Sequence, residues 1–204
     1  MNKLKKELKE FRKFKNEYKF EQLELKYEED NIYYGDILVS DGETTLSEHE
    51  DFINVGYKLK GATPKLLSNL YPYEFKFKGK KVSSIEGVFQ GIKFKDKKEQ
   101  TLVLRYSRLD ANNIKGSNLL DWKKEGKLYW QGKEIDRFKE EYQRFLEELY
   151  ISAIQNPLYR NVLINTNKYI LHSMGVINKE DTVFTRYEFE EMLNCLSAFL
   201  KRKK

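Results

Sequence analysis

Residues 67–94 read LSNLYPYEFKFKGKKVSSIEGVFQGIKF, and this one window holds a turn, a short strand pair and the start of a helix. Within the helical part, Glu86, Gln90 and Lys93 follow i, i+4, i+7 spacing, so a carboxylate, an amide and an amine share one helix face. Ile85, Val88, Phe89 and Ile92 fall on the neighbouring face, which is apolar and suited to a core. A polar stripe beside an apolar one lets a helix line a pocket while it stays anchored.

The flanks sharpen that reading. Residues 75–82 alternate apolar and polar around Gly79, the pattern of a small hairpin, and a helix then starts at Ser83 or Ser84. Ser83 and Glu86 match S-x-x-E, so Glu86 has a structural reading as the closing half of a capping box. Its functional reading is a carboxylate beside the positive end of a helix, where ionisation is favoured. Gly87 and Gly91 are costly inside a helix, about 1 kcal/mol each relative to alanine. They point to close approach by another backbone or by a ligand. Ser68 and Asn69, ahead of Tyr71-Pro72, suit a turn.

Working outward, residues 3–18 carry Leu4, Leu8, Phe11 and Tyr18 at near-helical spacing among lysines and glutamates. This is a charged amphipathic helix, either packed on the body or extended as an arm toward a partner. Residues 20–39 suggest strands or extended segments, punctuated by Gly35-Asp36. Residues 40–51, SDGETTLSEHED, are polar and acidic and suit a loop with a short helix after it. One histidine there, His49, among flexible carboxylates lacks the convergent spacing of a metal site, so none is assigned. Residues 102–120 suggest a short helix and a long loop broken at Asn112-Asn113 and Gly116-Ser117. Helices are expected over 136–153, over 158–166 after Pro157, and over 185–201. Helices dominate and strands are short, which gives an α+β class: a helix-rich single domain with short strands or hairpins.

With 204 residues, 40% hydrophobic and 14% aromatic, the chain can build one core. A surplus of 38 basic over 32 acidic residues gives a net charge of +6, which admits nucleic acid or phosphorylated ligands without requiring them. The single cysteine, Cys195, cannot form an internal disulfide, which fits a reducing cytoplasm. The N-terminus lacks the apolar core of a signal peptide, and no apolar run suits a membrane span. P-loop, G-x-G-x-x-G, H-E-x-x-H and paired C-x-x-C motifs are absent, which disfavours P-loop phosphotransfer and zinc hydrolysis.

Two blocks resemble the NADAR/YbiA-like family. Its L-S-N-F-Y-P block is similar to Leu67-Ser68-Asn69-Leu70-Tyr71-Pro72, and its E-H-x-F-Q-A-x-K-F to residues 86–94, EGVFQGIKF. A second block, near Q-N-P-x-x-x-x-x-L-L-x-T-G, is similar to residues 155–167. The resemblance covers about 57–192. It divides the chain into an N-terminal extension, 1–56, and a NADAR/YbiA-like domain, 57–204. It departs at His172-Ser173-Met174-Gly175, where the family pattern continues with an acidic residue and D-x-x-W-G.

The resemblance implies an N-glycosidase that cleaves a ribose C1–N bond in an ADP-ribose-linked or ribosylamino compound. Glu86 and Lys93 are then catalytic, with Lys93 holding phosphate or attacking the sugar. Ser68, Asn69, Gln90, Trp130 and His172 are then substrate-binding. For the central tryptophan, Trp122 and Trp130 are both available. No cofactor or metal is implied, nucleic acid is admitted as a partner, and the oligomeric state is left open. The rival is a non-catalytic module that binds ADP-ribose, NAD-derived nucleotides or modified nucleic acid. A third reading is an interaction protein whose N-terminal helix recruits a partner.

Overall fold

A computed structural model describes residues 3–107, 110 and 121–203. The fold is α+β, with helices around four small sheets. Helix α1 (Lys3–Glu17) leads into an antiparallel meander of β1 (Lys26–Glu28), β2 (Asn31–Tyr34) and β3 (Ile37–Ser40). Strand β4 (Phe52–Asn54) pairs in parallel with β9 (Tyr169–Leu171), so the start of the chain is stitched to its last third. After α2 (Ala62–Leu66), β5 (Phe75–Phe77) and β6 (Lys80–Val82) form the expected hairpin. Its turn places Lys78 and Gly79 at φ 44° and 80°, the left-handed pair such a two-residue turn requires.

Next come α3 (Ile85–Gly91), α4 (Lys97–Val103) and α5 (Asp121–Glu125). A second hairpin follows, β7 (Lys127–Trp130) with β8 (Lys133–Asp136). It occupies a stretch that the sequence reading left outside any element. Three helices complete the chain: α6 (Glu140–Ala153), α7 (Pro157–Asn165) and α8 (Arg186–Lys201). Helix α6 starts later than expected, because Asp136 belongs to β8 and its carboxylate accepts from Phe138 N in a turn. The expected breaks at Asn112-Asn113 and Gly116-Ser117 lie outside the described residues. Residues 40–51 form the expected loop, held by isolated bridges from Ser40 to Thr45 and Glu48 to Ile53, and strand β4 follows it before the short helix α2.

The main core gathers α3, α6, α7, α8 and the two hairpins around Phe77, Val88, Phe145, Leu149 and Leu196. A smaller cluster of Ile32, Val39, Phe52 and Leu171 lies under the meander. Helix α1 is docked and does not extend as an arm. Phe11 is 0% exposed and meets Phe199 edge-on at 5.4 Å, while Arg12 Nε donates to Glu147 at 2.8 Å. Buried Glu7 accepts from Arg160 and Gln155.

Candidate functional site

A pocket of about 320 Å³ opens beside α3. Glu86 and Gln90 line it from α3 as their spacing requires, and Lys93 joins them from the turn that follows the helix, with Asn69 and His172. Ser84 caps α3, accepting from Gly87 N at 2.9 Å. The Ser83–Glu86 capping box therefore does not form, and the carboxyl of Glu86 is left for the pocket. In this chain the capping box belongs to Thr185 and Glu188, at the start of α8.

The three side chains are chained together. Gln90 Nε2 donates to Glu86 Oε1 at 2.6 Å, and Gln90 Oε1 accepts from Lys93 Nζ at 2.8 Å. Lys93 Nζ also lies 5.5 Å from the Trp122 ring centre. Burial pushes the Glu86 carboxyl above its ordinary value, against the opposing pull of Gln90 and Lys93. The sequence expectation of easier ionisation at the helix end is thereby reversed, since desolvation outweighs the dipole. Burial likewise pushes the Lys93 ammonium down, with Glu86 opposing.

Asn69 sits in the turn after α2, and its carbonyl accepts from Glu86 N at 2.9 Å. The same turn uses Ser68 Oγ to accept from Leu70 N, so Ser68 shapes the turn and does not line the pocket. Trp130 is also elsewhere: it packs against Phe77 at 4.8 Å and Phe145 at 5.7 Å in the core. Trp122 takes the aromatic place at the pocket. Gly87 and Gly91 serve helix packing. A Cβ on Gly87 would stand 2.7 Å from Tyr106 O, and one on Gly91 would stand 3.1 Å from Leu104 Cδ2.

His172 follows β9. The Val55 carbonyl can only accept, so at 3.2 Å it takes the proton of His172 Nδ1. Burial holds this imidazole below its ordinary pKa, hence neutral with Nε2 as the free acceptor. The departing segment, 172–175, is a tight turn: Gly175 N donates to His172 O at 2.8 Å, and a Gly175 Cβ would meet His172 Cδ2 at 2.8 Å and Arg186 Cβ at 2.9 Å. Asn54 fastens this turn through both amide atoms, donating to Ser173 Oγ and accepting from Ser173 N.

The far wall comes from Asp181, Thr182, Val183 and Phe184. Arg137 Nε donates to Thr182 O at 3.1 Å and Tyr142 donates to Val183 O at 2.5 Å, so two buried side chains hold that wall from behind. Arg137 also forks onto Glu188 at 2.9 and 2.6 Å. Burial pushes the Glu188 carboxyl up, but Arg137 prevails and keeps it ionised. Phe184 and Phe189 were absent from the sequence reading of the site. No local pattern marks them, because they reach the pocket only when α8 packs.

Among the described residues, His49, Glu50 and Asp51 bring one potential ligand atom each within 4.8 Å of one another. Two of the three are exposed carboxylates, and His49 Nδ1 already accepts from Asp51 N at 3.3 Å. Among the described residues, no helix is long and apolar enough to cross a membrane.

The fold and pocket define an α+β domain that presents a carboxylate and an amide from one short helix and an amine from the turn that ends it. The chain belongs to the bacteriophage protein GP30.3 family, whose model matches residues 62–198, a span that holds every pocket residue discussed above. It is 30% identical over 133 residues to the "Uncharacterized 17.1 kDa protein in Gp30-rIII intergenic region" of Enterobacteria phage T4, covering 64% of this chain and 87% of that protein. No solved structure matches the chain.

Proposed function

We propose that this protein is an N-glycosidase that hydrolyses a ribose C1–N bond, as the likeness of residues 67–94 to the NADAR/YbiA-like family implies. The substrate is an ADP-ribose-linked compound, for example ADP-ribosylated guanine in nucleic acid, or a ribosylamino metabolite. The observation that carries this reading is the Glu86–Gln90–Lys93 chain on the pocket wall. Burial leaves Glu86 with more of its proton and Lys93 with more of its free amine than either has in water. That pairing suits acid and nucleophile in one step.

In this reading Lys93 Nζ attacks ribose C1. The C1–N bond to the base breaks, and the departing nitrogen takes the Glu86 proton. The new lysine nitrogen returns one proton to Glu86 and its other passes to the ring oxygen as the C1–O bond breaks, which opens the sugar to a Schiff base. Water then adds at C1 and restores the amine. The net change is addition of one water across the C1–N bond. Gln90 and Asn69 orient the ribose, neutral His172 accepts from a hydroxyl, and Trp122 covers a ring. The reading places the protein in the cytoplasm, where buried Cys195, its thiol pushed up to about 12, stays reduced.

The test is release of guanine-containing product from an ADP-ribosylated oligonucleotide. Glu86→Gln and Lys93→Ala should each cut the rate by about 10²-fold or more while the protein stays folded. Wild-type turnover by both variants would overturn the reading. A second reading is a binding module for the same ligands, favoured by the 172–175 turn that replaces the family's D-x-x-W-G. Saturable binding of ADP-ribose without any turnover would select it.

A further inference from the structure

A second concavity lies on the solvent side of α4, and it shares no residue with the pocket. It is an open groove of about 500 Å³ lined by Lys80, Lys97, Lys98, Thr101, Leu102, Arg105 and Gln131. Four of the seven are cations and none is acidic. Lys97, Lys98, Thr101 and Leu102 follow i, i+1, i+4, i+5 spacing, so α4 turns one face to the groove. Lys80 comes from the β5–β6 hairpin and Gln131 from the β7–β8 turn, so the floor spans three elements.

No acidic residue lines the groove beside these four cations, whereas several cations elsewhere sit in ion pairs. Arg12, Lys15, Lys78, Lys81, Lys133, Arg144 and Lys168 each pair with a carboxylate within 4 Å. Among the described residues, Lys80, Lys97, Lys98 and Arg105 do not. Asp96 caps α4, accepting from Lys98 N and Glu99 N, and its charge acts on Lys98 without a close ion pair. Cations clustered in this way repel one another at a cost in stability, and a polyanion offsets that cost.

The positions are also prepared. The Lys97 stem lies over the β7–β8 turn at Gly132, where a Cβ would stand 2.7 Å from Lys97 Cε. Gln100, fully buried, ties the groove's floor together. Its Nε2 donates to Gly91 O, Phe94 O and Tyr129 O, and its Oε1 accepts from Gln131 N and Gln131 Nε2. This leaves Gln131 Oε1 as an acceptor at the groove. Leu102, 56% exposed, adds an apolar surface between the cations.

We propose that this groove binds the phosphate backbone of a single-stranded nucleic acid. Cations without carboxylates match a ligand charged at every repeat. The exposed Leu102 gives an apolar contact and Gln131 Oε1 an acceptor to an unpaired base, whose edge a duplex keeps paired. The proposal does not rest on the chemistry of the pocket.

The test is fluorescence anisotropy with a labelled oligothymidylate at several salt concentrations. The intact protein should bind with affinity that falls as salt rises. The triple variant Lys97→Ala, Lys98→Ala, Arg105→Ala should bind at least about tenfold more weakly, with a salt slope shallower by about 2. A control variant Lys3→Ala, Lys5→Ala, Lys9→Ala loses the same charge from α1 and should bind as wild type. Melting temperature checks that both variants fold. If the triple variant melts early, Lys98→Glu with Arg105→Glu replaces it, since both side chains are exposed. Equal weakening by the control variant would reduce the effect to net charge and overturn the proposal. So would tighter binding of duplex than of single strand, or displacement of the oligonucleotide by polyglutamate at equal charge.

Discussion

Tyr150 Oη donates to Asn69 Oδ1 across 2.8 Å, from the last turn of α6 to the turn that precedes the β5–β6 hairpin. This bond fixes the orientation of the Asn69 amide. Its oxygen is consumed by the tyrosine, so its Nδ2 donor is left for the pocket. Burial pushes the Tyr150 phenol well above its ordinary pKa, so it remains a donor at any working pH.

Tyr150→Phe should therefore keep the fold while releasing Asn69. Loss of one buried hydrogen bond costs about 0.5–1.5 kcal/mol, and the melting temperature should fall by a few degrees. Thermal protection by ADP-ribose should weaken more than the stability loss accounts for. Undiminished protection would show that Asn69 does not need its tyrosine partner.

Glu86→Gln should stabilise the protein at neutral and alkaline pH. A carboxyl whose folded pKa is raised holds its proton in the fold after the unfolded chain has lost it. Stability therefore falls as pH rises from the ordinary value of 4.5 to the raised one, and the loss is complete above it. Glutamine removes that loss. The variant should melt above wild type at pH 8 and level with it at pH 4. A Glu86→Gln protein that melts below wild type at pH 8 would contradict the buried environment assigned to this group.

Gly87→Ala should destabilise, although alanine is the better helix former. Its Cβ would stand 2.7 Å from Tyr106 O and 3.4 Å from Val103 O, both main-chain atoms that cannot swing aside. Overpacking of this kind costs about 1–3 kcal/mol, more than the roughly 1 kcal/mol of helix propensity returned. Urea unfolding measures the difference, and a stabilised variant would refute the close α3–α4 contact.

Phe11→Ala should cost about 3–5 kcal/mol, as removal of a fully buried aromatic does. Deleting α1 outright should leave the protein unable to fold stably, because Phe11, Glu7 and Arg12 all have partners in the body of the protein. A cooperative unfolding transition of wild-type midpoint in either protein would return α1 to the status of an arm.

Much of the fold was legible because it is local. The α8 register of Phe189, Met192, Leu193, Leu196 and Leu200, the Pro157 start of α7 and the Gly79 hairpin each depend on residues within one or two turns. The β7–β8 hairpin was not read. Its turn, Gln131-Gly132, is a weaker signal than Asn-Gly or Asp-Gly, and Lys133 and Glu134 interrupt the apolar alternation of β8.

The alignment of Glu86 with Gln90 was likewise settled by helical spacing, since i and i+4 share a face in any α-helix, whereas Lys93 joins them from the turn after α3. What that face meets was settled only by packing. Trp122 rather than Trp130 at the pocket, Ser84 rather than Ser83 as the cap, and the wall of 181–184 held by Arg137 and Tyr142 all depend on contacts between distant segments. The protonation of Glu86 and Lys93 depends on them as well. A helix end alone favours an ionised carboxylate, whereas the surrounding elements exclude water from it. Desolvation is a property of the assembled core, so no local stretch of chain could carry its sign.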